Sequence, residues 1–86
     1  MKKHESRRIN NGDEYSYYKN GEIVKTIVKS SLFYCGWVDS NNFLHHLGGP
    51  AWSMGIIKFF YIHGIKYGTI TEYEIAWNRL EMLDEL

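Results

Sequence analysis

The stretch His45–Lys66, HHLGGPAWSMGIIKFFYIHGIK, constrains the fold of this chain more than any other. Gly48 and Gly49 permit backbone angles closed to other residues, and Pro50 fixes φ and removes a donor where the next segment begins, as a first strand position tolerates. A sharp turn is therefore expected there. After Gly55, the run IIKFFYIH is rich in β-branched and aromatic residues, too short for a buried helix, and closed by His63-Gly64, so it reads as a strand. Apart from Lys58 and His63 it is apolar on both faces, which places it centrally in a sheet, with a helix over one side. His63-Gly64 then turns the chain, and IKYGT returns as the antiparallel neighbour.

The rest of the chain supplies partners for this unit. Asn20-Gly21 is a strong hairpin signal, because a type I′ turn needs positive φ at both central positions, so 14–19 should pair with 22–29. After a break at Ser30-Ser31, LFYCGWV reads as a third strand, in which Gly36 marks a bulge or a close backbone approach. Asp39-Ser40-Asn41-Asn42 is a turn cluster. Superposed at an offset of 43 residues, Gly12 falls on Gly55, Tyr17 on Phe60, Tyr18 on Tyr61 and Gly21 on Gly64, which suggests a repeated hairpin. Toward the C-terminus the period changes. Thr71 with Glu74 reads as a capping box, and Tyr73, Ala76, Trp77, Leu80 and Leu83 form an apolar stripe, predicting an amphipathic helix over about 72–84. The expected fold class is α+β, an antiparallel hairpin-built sheet of about five or six strands with that helix packed on it.

Eighty-six residues suffice for one domain. Residues 1–10 lack apolar periodicity and are expected to be a mobile basic arm, leaving 11–86 as the domain. An apolar content of 44% with a single proline argues against disorder. The one cysteine, Cys35, excludes an internal disulfide, and no apolar run follows the basic MKKHESRR as a secretion signal would require, so a reduced, cytoplasmic setting is expected. No run approaches the roughly 20 apolar residues of a membrane-spanning helix. Net charge is zero but unevenly spread: residues 1–8 carry +3 and residues 71–86 carry −4. That balance offers no general attraction for nucleic acid.

The residues His45-His46-Leu47-Gly48-Gly49-Pro50-Ala51, then Gly55, then Phe60-Tyr61-Ile62-His63-Gly64 carry a likeness. They resemble a degenerate His-x-x-x-Gly-Pro-Ala, aromatic-Tyr-x-x-Gly hairpin repeat of small bacteriophage proteins, similar to MORN-type repeats, and Tyr17-Tyr18-Lys19-Asn20-Gly21 resembles a second copy of its latter half. His46 and Gly48 depart from the Arg and Asp of that pattern, and the segment from Ala51 to Gly55 is shorter than the repeat has. The resemblance implies an accessory protein of the phage type, acting in the host cytoplasm, with hairpin units and no catalytic residue to carry over.

Candidate chemistry is sparse. His45, His46, His63 and Cys35 lack the paired short spacing of a zinc site, and neighbouring histidines on a strand point to opposite faces, so no metal or other cofactor is expected. No nucleophile motif frames Cys35 or a serine, and catalytic residues are expected to be none. Asp13, Glu14, Glu22 and Asp39 lie near turns and read as solvated edges. Tyr15, Tyr17, Tyr18, Trp37 and Trp52 are the expected contact surface for a protein partner, with Glu74, Glu81 and Asp84 on the acidic helix face as a second. A partner of this kind would be a host or defence factor, and self-association would use the same surface. The rival reading is RNA binding, with Tyr15, Tyr17, Tyr18 and Trp37 stacking on bases and Lys19, Lys25 and Lys29 on phosphates.

Overall fold

A computed structural model describes residues 4–29 and 34–84. Its elements are β1 (Arg7–Arg8), β2 (Glu14–Lys19), β3 (Glu22–Ile27), β4 (Tyr34–Val38), β5 (Trp52–Met54), β6 (Ile57–Ile62), β7 (Ile65–Tyr67) and α1 (Ile70–Asp84). Strands β1-β4-β5-β6-β7 form an antiparallel five-stranded sheet, β2 and β3 form a separate ribbon, and α1 packs on β6 and β7. The fold is α+β. The expected break at Ser30-Ser31 and the start of the third strand at Leu32-Phe33 lie outside the described residues.

The central stretch folds as its residues dictate. Chain reversal at Gly48-Gly49 leads through Pro50 into β5, and β6 lies between β5 and β7. Ile56, read as the start of the strand, is instead at the tip of the β5–β6 turn and 96% exposed. Of the repeat expected from glycine spacing, the first strand recurs at the offset of 43, Glu14–Lys19 and Ile57–Ile62 having the same length, whereas the returning strands differ, Glu22–Ile27 against Ile65–Tyr67. The turn residues match as well, Asn20-Gly21 at φ 52° and 80° and His63-Gly64 at φ 46° and 86°. Both pairs of angles are those of a type I′ turn, whose twist suits a two-residue hairpin.

The segment 43–46 knits the ribbon to the sheet. Leu44 N–H donates to Ser16 O, Gly64 N–H to Leu44 O, and His45 N–H to Trp37 O. Beneath it lies the core of Ile9, Val28, Val38, Leu44, Ala51 and Tyr61.

Residues 4–10, expected to lie outside the domain as a mobile arm, are instead part of it. Arg7 and Arg8 pair with Val38 and Trp37, Ile9 N–H donates to Gly36 O at 2.9 Å, and the Ile9 side chain is 3% exposed. Burying one isoleucine and completing one sheet edge outweighs the polar character of the neighbours, which the lack of periodicity concealed. Gly36 makes this contact: a Cβ there would stand 2.5 Å from Ile9 Cγ2 and 2.7 Å from Trp52.

Helix α1 starts earlier than the expected Thr71 cap. Thr69 Oγ1 accepts the Glu72 N–H at 3.1 Å, so the cap is Thr69-x-x-Glu72. Tyr73 anchors the helix. Its hydroxyl donates to His46 O at 2.6 Å, accepts from Gly48 N–H at 3.0 Å, and its ring lies 4.8 Å from Phe60. Leu83, assigned to the buried stripe, is 66% exposed because the final turns run past the short strand β7. Replacing Tyr73 by Phe keeps the ring and strips the turn of both partners; an expected loss of about 1–2 kcal/mol is measurable by urea denaturation. A loss under roughly 0.5 kcal/mol would mean water serves the turn equally well.

Candidate functional site

Strand alternation gathers Tyr15, Tyr17, Trp52, Phe59 and Tyr61 on the face of the sheet opposite α1. Tyr15 and Tyr17 share one side of the ribbon with Thr26 and Val24, their register partners. Tyr15 stacks on Trp52 at 5.1 Å and lies 6.2 Å from Tyr17, which meets Tyr61 edge-on at 6.1 Å. Tyr15, Tyr17, Leu44, Trp52, Phe59 and Tyr61 enclose a notch of about 140 Å³. A wider groove of about 380 Å³ adjoins it at Tyr15 and Trp52, walled by Ile27, Lys29 and Met54. Lys66 Nζ stands 5.0 Å above the Phe59 ring. Burial pushes the Tyr15 and Tyr61 phenols above the ordinary tyrosine range, and nearby Tyr17 adds to the shift, so both stay neutral through physiological pH.

The expected contact residues therefore divide. Tyr15, Tyr17 and Trp52 come together, but Tyr18, next along β2, faces the other way and stacks on Phe43 at 5.2 Å. Trp37 lies flat on His46 at 4.4 Å. These five rings do not make one surface, because adjacent strand residues alternate and Trp37 belongs to another strand. Glu74 and Glu81 are exposed on α1, where Glu81 accepts from Trp77 Nε1 at 2.6 Å. The Asp84 side chain lies outside the described residues.

Beside the groove runs an open strand edge. Val28 N–H donates to Asp13 O, which sets the alternation along the ribbon. Ile23, Lys25 and Ile27 then direct their backbone groups away from β2, and among the described residues no strand pairs with that side. Ile23 and Ile27 are 52% and 58% exposed.

A second cluster joins residues far apart in sequence. Asp39 Oδ2 accepts from His63 Nδ1–H at 2.6 Å, while Asp39 Oδ1 accepts the Asn41 and Phe43 N–H groups at 2.8 and 3.0 Å. Across the His63 ring, Nε2 is 2.8 Å from His4 Nδ1. His45, fully buried, stacks on His63 at 3.9 Å, takes the His63 N–H at Nδ1 and reaches His4 O with Nε2. Asp39, assigned to a solvated edge, is in fact 5% exposed. Burial is the main cause holding the His45 imidazole below its ordinary pKa. His45 and His46 do point apart, as neighbours should. Among the described residues no three His, Cys, Asp or Glu side chains are arranged to hold a metal ion, and the His45 and His63 ring nitrogens are turned on His4, on backbone groups and on the Asp39 carboxylate. Sequence reading missed His4 and Asp39; Asp39 heading Asp-Ser-Asn-Asn, a pattern that accepts its own turn's N–H groups, was the available signal.

No family model matches the chain, and searches of curated proteins and of solved structures find no match. Among the described residues no helix is long and apolar enough to cross a membrane.

Proposed function

We propose that this protein is a non-enzymatic binding module that takes an extended, acidic segment of a partner protein along β3 and into the groove of Tyr15, Trp52 and Met54. The observation that carries this reading is the groove's position beside an unpaired strand edge. Outward backbone groups at Ile23, Lys25 and Ile27 suit an added strand, and the groove suits one or two of its apolar side chains. Lys29 lines the groove and Lys66 stands over Phe59 in the adjoining notch, favouring carboxylates on the incoming segment. The resemblance to phage accessory proteins makes a host or defence factor in the bacterial cytoplasm the class of partner. The RNA reading is less favoured, since Tyr15, Tyr18 and Trp37 each already have a ring against a neighbour, where base stacking wants open faces.

The test compares capture from bacterial lysate by the wild type, by Ile27→Asp with Lys29→Glu, and by Ile75→Asp on α1 as a control. One protein held by wild type and control but weakened at least about tenfold by the β3 pair is the expected result. Nucleic acid recovered in its place, or equal capture by all three, would overturn it.

A further inference from the structure

We propose that residues 4–13 form a strap latched onto the β4 edge by the facing imidazoles of His4 and His63, and that a second excess proton on this pair releases it. The hydrogen bonds assign the protons. Because His63 N–H donates to His45 Nδ1, that ring carries its own proton at Nε2 and donates it to His4 O. Asp39 takes the His63 Nδ1–H. One line remains, His63 Nε2 to His4 Nδ1 at 2.8 Å, and it holds a single proton.

With no excess proton, His4 donates across it; with one, either ring does, and the contact survives. With two, N–H faces N–H at a distance that admits only one hydrogen, and the rings must part. His45 has no room for a further proton either, since its Nδ1 is already accepting, and its lowered pKa follows from that burial. Among the described residues, Asp39 from the end of β4 and His45 from the segment after it contact the pair, and the charged side chains next to His4 on the strap, Glu5 and Arg7, are exposed. Arg7 is engaged by Asn42 Oδ1 at 2.6 Å and lies 3.6 Å from Asp13. Acidification therefore adds positive charge to the His4 and His63 rings, which face one another, while a single carboxylate, Asp39, contacts only His63. Release frees the Trp37 and Val38 edge that Arg8 and Arg7 cover, and withdraws Ile9 from Gly36. This device stands independently of the groove beside β3.

Amide exchange followed by NMR tests it. The Ile9 N–H bonded to Gly36 reports the strap, and the Ala51 N–H bonded to Phe59 O reports the sheet. Between about pH 7.5 and about pH 5, Ile9 protection should fall at least about tenfold relative to Ala51, and His4→Gln should lose this response. Ile9 protection that holds at about pH 5, loss of Ile9 and Ala51 protection in step, or a wild-type response in His4→Gln would each overturn it.

Discussion

Gly64→Ala is expected to lower stability by about 3 kcal/mol and the melting temperature by roughly 15 °C, while Gly21→Ala, its counterpart 43 residues earlier, costs only about 1 kcal/mol. The two glycines occupy the same place in the same turn, at φ 86° and 80°, so alanine meets the same backbone strain at both. Their surroundings differ. A Cβ on Gly64 would stand 2.6 Å from Phe43 Cδ1 and 3.1 Å from Tyr18 Cδ2, whereas nothing lies within 4 Å of one on Gly21. Phe43 cannot retreat freely, because Tyr18 stacks on it and its own backbone is held by Asp39. The difference between the two variants isolates the overpacking from the strain. Equal losses in paired thermal and urea melts would mean that the joint between the repeated hairpins tolerates an added methyl group.

That comparison also marks how far the sequence could be read. Turn glycines and aromatic pairs at a fixed offset located both hairpins and their register, since the signals are local and chemically narrow. They gave no hint that one turn would be free and the other pressed against the opposite hairpin, which is a tertiary fact. The strap failed for a related reason. One buried isoleucine, Ile9, ties it down, and one residue has no period. Helix α1 was legible in its stripe and in its end at Asp84 but misread at its start, because two overlapping cap patterns, Thr69-x-x-Glu72 and Thr71-x-x-Glu74, compete and the choice falls to packing around Tyr73.

The candidate sites were legible in unequal measure. Choosing large rings found Tyr15, Tyr17 and Trp52, which burial economics would gather in any small sheet. Tyr18 and Trp37 were added by residue type alone, and the pleat sends them elsewhere. The histidine cluster was beyond sequence reach: its members come from the strap, two turns and a connecting segment, with His4 and His63 separated by 59 positions.

Asp39 organises that cluster, and Asp39→Ala should cost about 2–3 kcal/mol, measured by urea denaturation at neutral pH. The carboxylate accepts three hydrogen bonds, two from the backbone of its own turn and one from His63, in a position almost without solvent. Removing it leaves three donors to compete for little water, and frees His63 to exchange tautomers. Asp39→Asn separates charge from shape. An asparagine oxygen can still receive both backbone N–H groups, and its amide can donate to His63 Nδ1, which moves the ring's proton to Nε2 and keeps a hydrogen bond to His4. Its expected loss is therefore smaller, about 1 kcal/mol at neutral pH. The pH response works in the other direction. Burial holds the His45 pKa below its ordinary value and the Asp39 charge partly offsets that, so without the anion the folded state binds this proton less readily still than the unfolded chain does, and stability should fall more steeply from pH 7 to about pH 5 than in wild type. An Asp39→Asn slope equal to the wild-type slope would mean that the carboxylate supports the turn and has no hold on His45.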